Sequence, residues 1–348
     1  MGEPPPAPSP FLAACRRQPV PRTPVWFMRQ AGRYMPEYRA ARAQQSILEI
    51  CHRPKLVAQI SLQPMERLGV DAAIVFADIL LPFEPLGLGL SYAAEGGPKI
   101  WRPIRRAADV EKLAPVDPAV DLGYVLEGVR QTRAALDERF PGTPLIGFAG
   151  SPFTLASYAI EGGTSRTFTA TKQFMYTHPE AWHDLMQSLA TLAGRFLTLQ
   201  ARAGADALQL FDSWVGCLGP DDYREFVLPY SRHAITEAST AGVPVIHFGT
   251  GTATLLEAMA EAGGDVMGVD WRIPLDQAWA RVGDRAIQGN LDPAVLLAPK
   301  EEIVRRVREV LRRAGGRPGH IFNLGHGIMP GTPVENVKLV VDLVRGAA

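Results

Sequence analysis

Lysine is scarce in this chain of 348 residues, six against 30 arginines. None of the six falls in a segment with the character of a strand exit, which disfavours a Schiff-base chemistry. Cysteine is scarcer still. Cys15, Cys51 and Cys217 lie far apart without paired spacing, so neither a disulfide framework nor a zinc knuckle is expected, and reduced thiols in the cytoplasm fit. Net charge is missing as well: 36 basic side chains balance 36 acidic ones, and nothing in the bulk electrostatics suggests nucleic acid or a membrane surface as partner. Any anion recognition must therefore be local. The N-terminal Met1-Gly-Glu-Pro-Pro-Pro-Ala-Pro-Ser-Pro10 lacks the basic and apolar regions of a signal peptide, and Pro6 stands where a myristoylation signal wants Ser or Thr. Residues 1–10 are expected to form a disordered tail. No linker or internal repeat divides the remainder, and 47% hydrophobic content lets residues 11–348 bury one large core.

Against these absences stands Val25-Trp-Phe-Met-Arg29-Gln-Ala-Gly-Arg33-Tyr-Met-Pro-Glu-Tyr-Arg39, an apolar run that breaks into arginines. Gly32 is expected to let the backbone turn between Arg29 and Arg33, and Pro36 ends the run. Guanidiniums fixed at a strand end offer donor forks to carboxylates or phosphates, although an internal ion-pair network would use the same residues.

Short apolar runs recur along the chain at Val25–Met28, Ala72–Phe76, Leu145–Phe148, Ala207–Phe211, Val243–Phe248, Val266–Val269, Ala286–Gly289 and Ile321–Leu324. Helical periodicity fills the intervals at Ser46–Leu68, Leu122–Phe140, Ala181–Ala203, Pro220–Ala241, Leu255–Ala262, Lys300–Ala314 and Val334–Val344. Continuous rather than alternating apolar character marks strands buried on both faces, hence a parallel sheet. Eight such strands predict an α/β fold closed as a (β/α)8 TIM-type barrel. A doubly wound open sheet would carry a glycine-rich turn after its first strand, where this chain has Arg29 and Arg33. The segment Leu80–Pro118, rich in glycine and proline, is an insertion after the second strand with a small hairpin, placed to wall a cleft.

In such a barrel the strand exits converge on one mouth. The exits supply Arg29 and Arg33, Asp78, Gly150 to Thr154 with Tyr158, Asp212 and Ser213, His247, Asp270, Asn290 and Asp292, and His326. Asp78 sits among apolar neighbours, where a carboxylate needs either backbone N–H groups or a donor-rich ligand. Ser151 and Pro152 have the form of a helix start, from which Tyr158 either aims its phenol at the mouth or fills core. His326 is flanked by Gly325 and Gly327, which permit unusual backbone angles and close approach of a ligand, and it could donate to a carboxylate or shuttle a proton. Gly249-Thr-Gly-Thr252 could cradle an anion or simply cap a helix.

Two of these segments, Arg29-Gln-Ala-Gly-Arg-Tyr-Met-Pro-Glu-Tyr-Arg39 and Gly147-Phe-Ala-Gly-Ser-Pro-Phe-Thr-Leu-Ala-Ser-Tyr-Ala-Ile-Glu-Gly162, resemble the signature segments of the uroporphyrinogen decarboxylase family. The resemblance continues through Phe76-Ala-Asp-Ile, Leu208-Gln-Leu-Phe-Asp-Ser-Trp, Gly268-Val-Asp-Trp, Gln288-Gly-Asn-Leu-Asp-Pro and Asn323-Leu-Gly-His-Gly. It implies a cytoplasmic homodimer of barrels that needs no cofactor or metal and removes four acetate carboxyls from uroporphyrinogen III to give coproporphyrinogen III in haem biosynthesis. It also implies a catalytic set of Asp78, Arg29 and Tyr158. Substrate contacts would come from Arg29, Gln30, Ala31, Gly32, Arg33, Arg42, Asp78, Tyr158, Ser213 and His326. Two alternatives stay open. A zinc-dependent corrinoid or thiol methyltransferase of similar barrel would want a His-x-Cys pair where this chain has His247-Phe248-Gly249, and a porphyrinogen carrier would keep the ring site without turnover.

Overall fold

The computed structural model describes residues 9–92 and 97–346. Its strands, numbered in chain order, are β1 (Ala73–Ile74), β2 (Leu90–Tyr92), β3 (Pro98–Ile100), β4 (Leu145–Gly150), β5 (Ala207–Asp212), β6 (Val245–Gly249), β7 (Val266–Gly268), β8 (Ala286–Gln288) and β9 (His320–Ile321). All except β2 and β3 form one parallel sheet in the order β1-β4-β5-β6-β7-β8-β9, with helices in the connections. The register pairs Phe148 with Gln209, Gln209 with Ile246 and Phe211 with Phe248. One face of this curled sheet is therefore lined by Phe148, Phe211 and Phe248, whose rings meet edge to face at 5.4 and 5.7 Å. A polar chain crosses the same interior: Trp26 Nε1 donates to Gln288 Oε1 at 3.0 Å, and Gln288 Nε2 to Gln209 Oε1 at 3.0 Å. The outer layer is typified by the helix Pro179–Arg202, which buries Leu185, Leu189, Leu192 and Phe196 at helical spacing.

The segment at Val25 occupies the eighth barrel position. Phe322 N–H donates to Pro24 O at 2.8 Å on the β9 side, and Asp71 N–H donates to Val25 O at 2.8 Å on the β1 side. Its ladder is short, a single parallel bridge between Val25 and Phe322 rather than a strand through Met28. Side chains take over the missing pairings. Asp71 accepts from Val25 N–H at 2.9 Å, Gln30 Oε1 from Phe27 N–H at 3.1 Å and Asn323 Oδ1 from Met28 N–H at 3.2 Å. This substitution frees the chain to bend into the arginine segment without leaving buried N–H groups unpaired.

The helices depart from the sequence expectation where proline intervenes. The run Ser46–Leu68 divides into Ile47–Cys51, opened by a capping box between Ser46 and Glu49, and Pro54–Leu68. Pro220–Ala241 divides at Val227 into Pro220–Phe226 and Leu228–Ser239, because Pro229 has no N–H to continue a helix and belongs in a first turn. Pro36 opens a helix, Pro36–Gln44, that periodicity does not announce. The hairpin expected in the insertion is β2 paired antiparallel with β3. Of the expected tail, residues 1–8 lie outside the described residues, whereas Pro10 already begins the helix Pro10–Cys15. No helix among the described residues is long and apolar enough to cross a membrane.

Candidate active site

The first strand exit is built by an unusual backbone. Arg29, not Gly32, adopts the left-handed conformation, with φ 58°, so the turn expected of the glycine is made by the arginine. Gly32 serves a different need, since a Cβ there would stand 2.9 Å from the Arg29 carbonyl oxygen. Gln30 is fully buried with its amide committed to Phe27 N–H and Ala72 O, and Tyr34 donates to the Gln30 carbonyl at 2.6 Å. Gln30 thus locks the loop to the barrel. Ala31 packs against the core. Arg29 and Arg33 are exposed, and neither pairs with a carboxylate among the described residues. Arg42, in the last turn of the helix Pro36–Gln44, donates to Gln45 O and likewise has no acidic partner there.

Asp78 leaves β1 and accepts the Leu80 N–H on Oδ1 at 2.8 Å. Burial raises its pKa above the ordinary carboxylate value, opposed by the Leu80 N–H, the Tyr92 hydroxyl and the positive charge of Arg29. Behind Asp78 lies a small cavity of about 10 Å3 bordered by Phe148, Gly150, Leu155 and Phe196. That volume suits one water at most and is too small for a large ligand. Tyr158, in the helix Pro152–Glu161, stacks on Trp214 with ring centroids 3.6 Å apart. Its phenol is pushed well up by burial and then by the charge of Asp78, so it keeps its proton through neutral pH. The helix start expected at Ser151 is present: Ser151 accepts the Thr154 N–H at 3.3 Å and donates to Asp212 Oδ1 at 2.5 Å. Asp212 also accepts Thr154 Oγ1–H at 3.0 Å, clamping the helix that carries Tyr158 to the end of β5. Ser213 follows, half-buried, with its carbonyl accepting from the Thr250 hydroxyl.

His326 enters from the last strand exit, and its loop is sewn to the arginine loop by Ile328 N–H donating to Met28 O at 3.1 Å. Burial lowers its pKa to about 4, with Arg29 adding to the effect. It is therefore a neutral imidazole at pH 7, contributing a donor or acceptor but no charge. The flanking glycines take ordinary φ angles, contrary to the expectation from sequence. They permit close approach by the protein itself: a Cβ on Gly325 would stand 2.7 Å from Trp271 N, and one on Gly327 2.6 Å from Arg29 Cγ. The side chain of Arg29 lies across Gly327.

Other expected exit residues serve the scaffold. His247 lies inside β6, fully buried on the face opposite Phe248, with Nε2 3.9 Å from Asp212 Oδ2. Asp270 accepts the Gly251 N–H at 2.6 Å and the Arg272 N–H at 3.1 Å, so the expected glycine-threonine cradle is occupied by a carboxylate of the protein. Asn290 donates to Asp270 O and Ile273 O, and Asp292 caps a 3-10 turn at Ala294. Among the described residues no group of three or more His, Cys, Asp or Glu could hold a metal ion. Sequence reasoning missed Trp214 and Tyr92. The aromatic character of Trp214 beside Asp212-Ser213 was the available signal for the first, whereas nothing in the sequence singled out the second.

The chain as a whole is similar to known proteins. A family model described as "Uroporphyrinogen decarboxylase (URO-D)" matches residues 7–347. A uroporphyrinogen decarboxylase of Sorangium cellulosum is 58% identical over 336 residues, covering 96% of this chain and 95% of the relative. One from Chloroflexus aggregans is 54% identical over 340 residues, covering 96% and 94%. Among solved structures, a methyltransferase from Methanosarcina mazei superposes with a TM-score of 0.78, covering 97% of each chain at 20% identity, a likeness of fold alone.

Proposed function

The chain belongs to the uroporphyrinogen decarboxylase family, and from that premise we propose how its residues act as a carboxy-lyase of tetrapyrrole synthesis. The substrate is uroporphyrinogen III, whose rim carries eight carboxylates and whose centre presents four pyrrole N–H groups. Arg29, Arg33 and Arg42 take rim carboxylates, with Gly32, Ser213 and His326 lining the approach and Gln30 and Ala31 holding the loop. Asp78 takes the centre. The single observation that carries this reading is a half-buried Asp78 carboxylate within reach of the charge of Arg29, an exposed arginine with no acidic partner among the described residues.

Loss of CO2 from a pyrrole acetate would leave a poorly stabilised carbanion. Protonation of the ring first creates an electron sink, into which the electrons of the breaking bond to the carboxyl carbon flow. Loss of CO2 leaves a neutral exocyclic methylene, a proton added to that carbon makes the methyl group and the ring proton is then lost, so each turnover replaces CO2 by one proton and the species before and after CO2 loss are ring cations. Ionised Asp78 binds those cations more strongly than the neutral ring, which is the differential binding that accelerates a reaction. Pyrrole N–H donors also offset the desolvation that raises the Asp78 pKa, so bound substrate favours the ionised carboxylate. Guanidinium is a poor acid, which assigns Arg29 to orienting the reacting carboxylate and leaves proton delivery to water beside it. Tyr158, protonated and stacked on Trp214, is fit to donate a hydrogen bond without adding charge. These steps require no cofactor. A cytoplasmic homodimer, as the family resemblance implies, is part of the same proposal.

Anaerobic incubation with reduced uroporphyrinogen III tests it. Products counted by carboxyl number should pass from eight to four with matching CO2 release, and Asp78→Asn should lose about 100-fold or more in turnover. Tight binding without CO2 release would refute the proposal in favour of a carrier.

A further inference from the structure

Tyr92 closes β2 of the hairpin, and its buried hydroxyl meets no partner in good hydrogen-bond geometry among the described residues, although the Asp78 carboxylate lies near enough to interact with it. The hairpin is firmly mounted: Ile100 N–H donates to Gly162 O at 2.9 Å and Ile104 N–H to Ala159 O at 2.9 Å, tying it to the helix that bears Tyr158. The charged acceptor beside the stranded hydroxyl is the Asp78 carboxylate. A buried hydroxyl without a partner is costly, and a carboxylate accepting from a single N–H is free to swing.

We propose that Tyr92 is a positioning residue that donates to the Asp78 carboxylate and, together with the Leu80 N–H, fixes it facing the mouth. The inference rests on the role assigned to Asp78 above. The groups facing Asp78 are the Leu80 N–H from its own turn, Tyr92 from the hairpin, Arg29 from the first loop, Tyr158 from the helix Pro152–Glu161, Tyr38 from the helix Pro36–Gln44 and Cys51 from the helix Ile47–Cys51. Tyr38, Tyr158 and Cys51 are all pushed up by burial and stay neutral through the working range. Arg29 is the one cation in the set, and it is exposed. Tyr92 is thus a neutral hydroxyl donor of the set that carries no substrate role assigned above and is free to hold the carboxylate.

Tyr92→Phe removes the hydroxyl and keeps the ring. In protein with 13C-labelled aspartate carboxyls, the Asp78 resonance is identified by its loss in Asp78→Asn and titrated without substrate. Its midpoint should rise by about one pH unit in Tyr92→Phe, since a donor to the ionised form is lost. The acid limb of kcat/KM for uroporphyrinogen should move up in pH by the same amount. An unshifted titration overturns the proposal, whatever the activity. A shifted titration in a parent protein that releases no CO2 sustains the contact between Tyr92 and Asp78 while sinking the decarboxylase reading.

Discussion

Gly327→Ala offers a sharp mutational test of the arginine loop. The added Cβ would stand 2.6 Å from Arg29 Cγ and 3.0 Å from Nε, with Cδ closer still. Carbon atoms in contact need about 3.5–4.0 Å, so the arginine must retreat by about 1 Å. Because the collision falls on Cγ and Cδ rather than the terminal nitrogens, relief requires rotation about the first side-chain bonds, which carries the guanidinium further than 1 Å. The backbone offers little help: Arg29 is held left-handed, and Met28 on its N-terminal side is fastened to Asn323 and Ile328. A misplacement of about 1 Å in a positioning group costs up to about 100-fold in rate. We expect kcat/KM for uroporphyrinogen to fall 10- to 100-fold, while the folded state loses less than about 1 kcal/mol because the displaced side chain is exposed. Gly331→Ala, with no atom within 4 Å of its added Cβ, is the matched control and should leave both quantities at the parent value. Anaerobic steady-state assays beside thermal unfolding read the result. Parent-like kcat/KM in Gly327→Ala would refute the placement of Arg29 in the site.

Two further outcomes follow from the geometry. Arg33→Ala removes an exposed cation with no acidic partner among the described residues, so KM should rise about tenfold with kcat changed less than about threefold; equal changes in both would contradict a role in binding. His320 is buried, donates Nε2–H to Gly289 O at 2.9 Å, and has its pKa lowered to about 4 by burial. Its unfolded form takes up a proton near pH 6.5 that the folded form refuses until about pH 4, so its contribution to stability is present above pH 6.5 and lost as pH falls. The loss approaches about 1.4 kcal/mol per pH unit, and His320→Asn should flatten the decline in denaturant midpoint between pH 6 and 4; an unchanged slope would contradict the burial of a neutral imidazole.

Much of this architecture was legible because burial on both faces imprints itself on consecutive residues. The apolar runs at Leu145, Ala207 and Val245 become β4, β5 and β6 within two residues of expectation, and the helices Lys300–Ala314 and Val334–Val344 match fully. The first strand was less legible, since its ladder is completed by the side chains of Asp71, Gln30 and Asn323, two of them more than 40 positions away. The same distance problem governs the site. Asp78 and Arg29 stand out locally, as a carboxylate and a guanidinium among apolar neighbours. His247, Asp270 and Asn290 look equivalent in sequence, yet their partners on neighbouring strands and loops commit them to the scaffold. Gly327 and Tyr92 gain meaning only when Arg29 and Asp78 are brought beside them in space, which local pattern does not encode.

A crystal structure of this protein with coproporphyrinogen bound under reducing conditions measures the decisive contact. The pyrrole nitrogens should lie about 2.7–3.2 Å from the Asp78 carboxylate oxygens, with Arg29 and Arg33 on rim carboxylates. A macrocycle bound with Asp78 more than about 5 Å from every ring nitrogen would contradict stabilisation of a ring cation by that residue.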